Sequence, residues 1–331
     1  MDKKKRKNIL VPGGAGYIGS HMTRLLASEG YVPVVFDNLS TGNRKFVGKG
    51  VPFIKGDLCL PKAIDKVFKK YAIDAVINFA GSIVVPESVE DPLKYYHNNL
   101  FGMVNLLEAM RKNKVNTIIF SSTAAVYGNS KKGLITEQEP LGPANPYART
   151  KLMIEQILAD AHAAYGLKYM VLRYFNVAGS HPVADIGINL NKPTHLIPNV
   201  MKVARGRKSH LEVFGTDYDT PDGTCIRDYI YIMDLCRAHL CALLALDHGL
   251  KCDTFNLGCG LGFSVKQVIA MAEEVTGKRI KTIISKRRKG DVPKLVASFQ
   301  KAHRILKWKP QATLREILQT AWDWENRSAL A

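Results

Sequence analysis

Residues 8–19 read Asn8-Ile9-Leu10-Val11-Pro12-Gly13-Gly14-Ala15-Gly16-Tyr17-Ile18-Gly19. A short apolar run enters a turn with glycines at 13, 16 and 19, and a helical pattern, Ile18 to Ser28, leaves it. Glycine permits the tight turn and lets a phosphate group approach a helix N-terminus, where unpaired N–H groups and the helix dipole favour anions. The next apolar run, Val32 to Phe36, ends at Asp37, 18 residues after Gly19. A carboxylate there accepts both ribose hydroxyls of NAD and repels the 2′-phosphate of NADP. Asp57, at the end of the third run, is placed to meet an adenine ring.

The same unit recurs outward from this turn. Phe53 to Lys55, Ala75 to Phe79, Thr117 to Phe120 and Tyr169 to Arg173 read as short strands, each followed by a turn. Between them, Pro92 to Lys112 and Tyr147 to Tyr165 carry apolar residues at helical spacing. Strands alternating with helices predict an α/β fold: a doubly wound parallel sheet of Rossmann type covered on both faces. Residues 177–227 are rich in Gly, Pro, Asn and Asp, and the helical patterns after them are peripheral. The expected organisation is an NAD-binding domain over 7–176, with 229–257 returning to it, and a smaller mixed lobe over 177–331.

Composition narrows the function classes. The 331 residues are 46% hydrophobic and 23% charged, which excludes a disordered or fibrous chain. No stretch approaches the roughly 20 apolar residues of a membrane span, and the N-terminal apolar core is too short for a secretory signal. A cytoplasmic protein without a membrane partner is expected. None of the six cysteines pairs in C-x-x-C spacing and no histidine cluster joins them, so reduced structural thiols and no metal are expected. The net charge of +18 invites an anionic partner. The lysines are scattered except at the N-terminus and at Lys286-Arg287-Arg288-Lys289, and there is no nucleic-acid-binding motif. No specific nucleic acid is expected.

The Gly-x-x-Gly-x-x-Gly spacing resembles the short-chain dehydrogenase/reductase superfamily, which calls for a Tyr-x-x-x-Lys motif. Tyr147-Ala148-Arg149-Thr150-Lys151 supplies it, with phenol and ammonium on one helix face. An ammonium near a phenol favours the phenolate. Ser121-Ser122-Thr123 supplies polar groups at the end of the fifth strand. The match then extends along the chain through Asp37-Asn38-Leu39-Ser40, Ser121 to Gly128, Asn145-Pro146-Tyr147, Leu172 to Gly179, Arg227-Asp228-Tyr229-Ile230 and Arg288-Lys289-Gly290-Asp291. These motifs, in this order from Asn8 to about Trp324, resemble the UDP-glucose 4-epimerases.

That resemblance implies a tightly bound NAD that is not consumed, a UDP-sugar substrate held by the second lobe, and a homodimer. It implies Tyr147 as acid/base at the sugar 4-hydroxyl, Thr123 hydrogen-bonded to the reacting oxygen, and Lys151 on the nicotinamide ribose. The matching cofactor positions are Gly13, Gly16, Tyr17, Ile18, Gly19, Asp37, Asn38, Leu39, Ser40, Thr41, Gly42, Asp57, Leu58, Phe79, Ala80, Gly81, Ser82, Ile83, Asn98 and Phe175, with Thr123, Tyr147 and Lys151. Those for the UDP-sugar are Thr123, Tyr147, Asn176, His195, Leu196, Glu212, Val213, Phe214, Arg227, Arg288 and Asp291, with Leu295 where room for the 2-substituent is limited. Guanidinium forks suit a diphosphate independently of any resemblance.

Three positions depart from the family pattern: Pro12 for Thr, Asn78 for His, and Ile83 for a lysine some members carry. Dehydratases and decarboxylases of the superfamily place acids directly after the Thr. Here Ala124 and Ala125 stand there, which counts against both. Epimerisation of UDP-glucuronate or a UDP-pentose stays open. So does an idle NAD-binding role, against which the intact Thr123, Tyr147 and Lys151 speak.

Overall fold

The computed structural model describes residues 6–128, 133–183, 185–188, 195–288 and 291–327. Lys289 and Gly290 of the Arg288–Asp291 motif lie outside them, as do the first five residues. The chain divides into two compact units. The first comprises residues up to Val126, Pro143–Arg173 and Cys236–Phe255; the second comprises Tyr127–Gly142, Tyr174–Leu235 and the chain from Asn256.

In the first unit, β1 (Asn8–Pro12), β2 (Val32–Asp37), β3 (Phe53–Lys55), β4 (Ala75–Asn78) and β5 (Thr117–Thr123) alternate with helices. These are α1 (Tyr17–Ser28), α2 (Pro61–Lys70), two short helices α3 (Val85–Glu90) and α4 (Pro92–Tyr95), and α5 (Gly102–Lys112). β6 (Leu134–Ile135) belongs to the second unit; α6 (Pro146–Tyr165) and most of β7 (Lys168–Tyr174) return to the first. With β11 (Cys252–Leu257) the sheet has seven strands in the order β11-β7-β5-β4-β1-β2-β3. β3, β2, β1, β4 and β5 pair in parallel. Ile9, Val11, Val34, Val76 and Ile118 are fully buried, because helices cover both faces and leave no solvent-facing residues in the central strands. Strand order reverses at β1, between β2 and β4, so the carboxyl ends there open a crevice.

The second unit holds β8 (Asn176–Ala178), α7 (Leu196–Ala204), β9 (Leu211–Phe214), β10 (Ile226–Tyr231), the start of α8 (Ile232–Asp247), β12 (Gly262–Ser264), α9 (Val265–Thr276), β13 (Thr282–Ser285), β14 (Lys294–Ala297), α10 (Gln300–Leu306) and α11 (Leu314–Arg327). One sheet runs β12-β10-β14-β6, with β8 also on β10; β13 and β9 form a separate parallel pair. Ser264 caps α9 in a reciprocal box with Gln267. The Asp228 carboxylate accepts N–H groups from Cys259 (2.7 Å), Gly260 (3.0 Å) and Ala297 (3.0 Å), tying β10 to the turn after β11 and to β14.

One expectation is corrected and another refined. The segment 229–257 does not return as a whole to the large sheet: β10 pairs with β8, with Tyr229 opposite Asn176, and only the chain from Cys236 to Phe255 joins the first unit. The helix expected over Pro92 to Lys112 forms throughout, and the structure adds that it widens into a π segment over Tyr96–Phe101. That widening carries Asn98 and Asn99 to the same loop: Asn98 Nδ2 donates to Ser82 Oγ (2.9 Å), and Ser82 N donates to Asn99 Oδ1 (2.8 Å).

Candidate active site

The turn after β1 is shaped by what its glycines leave out. Gly13 has φ +76, and a Cβ there would lie 2.6 Å from Ala80 N; a Cβ on Gly19 would lie 2.1 Å from Gly13 O. Backbones thus approach to contact only because these residues are glycine. α1 begins at Gly16 with no side-chain cap and no acid in its first turn, so its N–H groups are left for an anion. The buried Asp37 carboxylate accepts Ala15 N (2.9 Å) and Leu39 N (2.7 Å). A Cβ on Gly42 would sit 3.0 Å from Asp37 Oδ1.

Asn38 Nδ2 donates to Asp57 Oδ2 (2.9 Å), and Cys59 N donates to Asp57 Oδ1 (2.8 Å). Burial works against the Asp57 charge, but these hydrogen bonds hold its carboxyl below the usual range. Asn38, Ser40, Asp57, Ser82 and Asn98 line one open recess of about 510 Å³. Phe79 packs on His239, ring centroids 4.9 Å apart, and Leu58 is buried, whereas Ile83 is exposed. The glycine turn, uncapped helix end, acid at the β2 terminus and polar recess suit an adenine dinucleotide.

The reacting side chains come from β5 and α6. Asn145 caps α6, accepting Ala148 N at 2.9 Å, and Pro146 fits the first helical turn. The cap starts the helix where Tyr147 and Lys151, one turn apart, point inward, both buried. The Tyr147 hydroxyl is hydrogen-bonded by Thr123, the last residue of β5. Burial pushes the Tyr147 phenol up to about 12, while that hydrogen bond works the other way. Lys151 Nζ donates to Ser121 O (2.9 Å) and lies 4.8 Å from the Phe120 ring centroid. Burial pushes the Lys151 ammonium down to about 8, opposed by the Glu155 charge. A Cβ on Gly81 would lie 3.7 Å from Lys151 Nζ, so Thr123, Tyr147, Lys151 and the Gly81 loop share one neighbourhood.

Within the second unit, Arg227 Nη2 meets Asp291 Oδ1 at 3.3 Å and Arg288 Nε meets Asp291 Oδ2 at 3.4 Å. The Arg288 guanidinium lies 4.4 Å from the Phe214 ring centroid on β9. Leu295, half-buried on β14, is the register partner of Arg227. Asn176 Nδ2 donates to Asp228 O (2.9 Å), and Phe175 is buried. Val213 is buried, Glu212 is exposed, and Leu196 opens α7 behind exposed His195. Phe214, Arg227, Arg288, Asp291 and Leu295 are therefore brought together; no such contact joins His195 to them among the described residues.

Other residues of the first unit were missed in the sequence. Asn99 Nδ2 donates to Ser82 O (3.1 Å) and Thr150 Oγ1 (3.0 Å), pinning the Gly81 loop to α6. Glu155, Ser122 and Arg173 form a buried cluster one turn beyond Lys151. A polar residue on a buried helix face was the available signal, and it does not say which partner it meets.

A buried tyrosine and lysine beside a glycine-rich turn define a dinucleotide-binding α/β enzyme class. Residues 9–258 match the profile of the NAD dependent epimerase/dehydratase family. The chain is 46% identical over 317 residues to UDP-glucose 4-epimerase of Lacticaseibacillus casei, covering 96% of both chains. The structure of UDP-glucose 4-epimerase from Brucella ovis in complex with NAD superposes with TM-score 0.93 at 45% identity, covering 96% of this chain and 97% of that one. The enzyme from Bifidobacterium longum in complex with NAD+ and UDP superposes with TM-score 0.92 at 39% identity, covering 98% and 99%. The chain belongs to the NAD dependent epimerase/dehydratase family. Among the described residues no helix is long and apolar enough to cross a membrane.

Proposed function

We propose that this chain is an NAD-dependent epimerase that interconverts UDP-glucose and UDP-galactose by inversion at C4 of the sugar. The observation that carries the reading is the half-buried Thr123 with the buried Tyr147 and Lys151 beside the Gly13 turn and Asp37, with alanines at 124 and 125. Asp37, the uncapped N-terminus of α1, Asp57, Ser82 and Asn98 would hold the cofactor, with Lys151 on its ribose. When bound, NAD supplies a reversible hydride acceptor.

Tyr147 Oη takes the proton of the sugar 4-hydroxyl as the 4-keto sugar forms, and returns it when the opposite configuration is made. A phenol that burial has raised to about 12 is a poor base at neutral pH, so it needs a neighbouring positive charge. The Lys151 ammonium supplies one, and Thr123 donates a hydrogen bond to the phenolate side of the equilibrium. With no carboxylate after Thr123, nothing there is placed to pull a proton from the neighbouring carbon, so the keto sugar is returned rather than dehydrated.

In the second unit, Arg227 and Arg288 bind the diphosphate and Asp291 the uridine ribose. Asn176, His195, Leu196, Glu212, Val213 and Phe214 complete the uridine and sugar contacts. The two arginines already share one carboxylate, so their positive ends are oriented before an anion arrives. Exposed Leu93, Phe101 and Met153, on elements that pack on one another, support a homodimer, and free cysteines support a cytoplasmic setting.

The test is direct. The protein is incubated separately with UDP-galactose, UDP-N-acetylgalactosamine and UDP-glucuronate, and C4 inversion is followed by NMR. UDP-galactose is expected to invert, and denaturation should release about one NAD(H) per chain, as tight binding requires. Inversion of UDP-glucuronate alone would reassign the substrate. Absence of any inversion in protein that carries NAD would overturn the reading.

A further inference from the structure

Behind the reacting pair lies a charge pair that the chemistry above does not use. Glu155 sits on α6 one helical turn past Lys151, and Arg173 on β7 faces it. Arg173 Nη2 meets Glu155 Oε2 at 2.5 Å, and Arg173 Nε lies 3.1 and 3.2 Å from the two carboxylate oxygens. Ser122 Oγ, on β5, donates to Glu155 Oε1 at 2.5 Å. Both charged side chains are only 7% exposed. A buried ion pair of this kind contributes little net stability compared with an apolar replacement, since desolvation offsets the attraction. Its position suggests another role. It fastens α6, which carries Tyr147 and Lys151, to the residue that precedes Thr123 on β5.

We propose that Glu155, held by Arg173 and Ser122, is a positioning residue that keeps the Lys151 side chain placed and charged beneath Tyr147. This rests on the reading of Tyr147 and Lys151 given above. Lys151 is buried with a single carbonyl, Ser121 O, as its hydrogen-bond acceptor among the described residues, and burial alone drives it toward the neutral form. Groups facing it from each packed element are few. Tyr147 and Glu155 lie on its own helix and Arg173 on β7. His239, on α8, meets Ser121 Oγ at 3.2 Å. Tyr95, on α4, gives its hydroxyl to Val84 O and Glu87. Asn99 is neutral. Of the acids, Glu87 is engaged by Lys94 and Tyr95 at the exposed end of α3. Glu155 is the carboxylate whose charge raises Lys151. Arg173 cannot be the point of the pair for Lys151, because its own charge acts in the opposite direction; it holds the carboxylate in place.

The test uses holoenzyme and Glu155→Gln, which keeps the volume and one acceptor oxygen for Arg173, turns the other position into an amide donor that the Ser122 hydroxyl can accept, and removes the charge. A lysine that loses a neighbouring anion deprotonates at lower pH, so the alkaline limb of kcat should move down by about 1 pH unit or more. NAD content per chain should stay near that of the parent. If Glu155→Gln does not fold, the pair Glu155→Gln with Arg173→Gln removes both charges and should show the same shift at smaller size. An unmoved kcat limb in folded, NAD-loaded variant overturns the proposal. So does an equal shift in Ser122→Ala, which keeps both charges. Failure of the underlying reading looks different: Tyr147→Phe or Lys151→Met would then retain turnover, whatever Glu155→Gln does.

Discussion

The two units hold the charged residues of their candidate sites in opposite ways. In the first, Asp37, Lys151, Glu155 and Arg173 are buried, and each is matched to backbone N–H, a carbonyl or a buried countercharge. In the second, Arg227, Arg288 and Asp291 retain solvent access and share one another's charge at 3.3–3.4 Å. Burial perturbs titration and fixes geometry, which suits a group that must move a proton. Partial exposure leaves arginines strong and exchangeable, which suits binding and release of a charged substrate. On the proposed function, the first unit carries chemistry common to any UDP-sugar offered, and the second chooses among them.

Tyr147→Phe gives the largest expected break. It keeps the buried ring and removes the titrating hydroxyl, so kcat should fall by about 10²–10⁴-fold for every UDP-sugar turned over, with UDP binding retained by calorimetry. Selective loss for one sugar would contradict the division between units.

Asp228→Ala is expected next. It leaves three N–H donors, on Cys259, Gly260 and Ala297, without their acceptor and empties a fully buried site. Unfolding in urea should show a loss on the order of 3 kcal/mol. A change within error would mean that water replaces the carboxylate there.

The smallest effect sharpens the selectivity half of the comparison. Leucine at 295, opposite Arg227, leaves more room than an aromatic ring, so weak epimerisation of UDP-N-acetylglucosamine is expected beside that of UDP-glucose. Leu295→Tyr should depress the N-acetyl activity selectively, by about tenfold, the size a modest change in pocket volume supports. Equal loss of both activities, or no N-acetyl turnover in the parent, would remove Leu295 from the role.

Much of the first unit was legible because its signals are local. A glycine whose Cβ would strike a neighbouring backbone, an acid at a strand end, and a tyrosine and lysine one helical turn apart are set by spacing along the chain. Strand runs buried on both faces are continuous and apolar, and these too can be read in order. Partner choice was not legible. Nothing in residues 226–231 distinguishes pairing with β8 from a return to the large sheet, because both offer a buried edge; the packing of the second unit decided it. The π-turn at 96–101 was likewise invisible, since its widening shows only in the meeting of Asn98 and Asn99 with Ser82.

By itself, the sequence determined the alternating α/β class, the dinucleotide turn with its acid, and the Thr, Tyr and Lys on neighbouring element ends. Only the tertiary structure decided which buried charge stands beside which. Glu155 and Arg173 are 18 positions apart and Ser122 lies 33 positions from Glu155, on three different elements. No periodicity links such residues. They meet because α6 lies across β5 and β7, and that meeting buries the Glu155 charge one helical turn from Lys151.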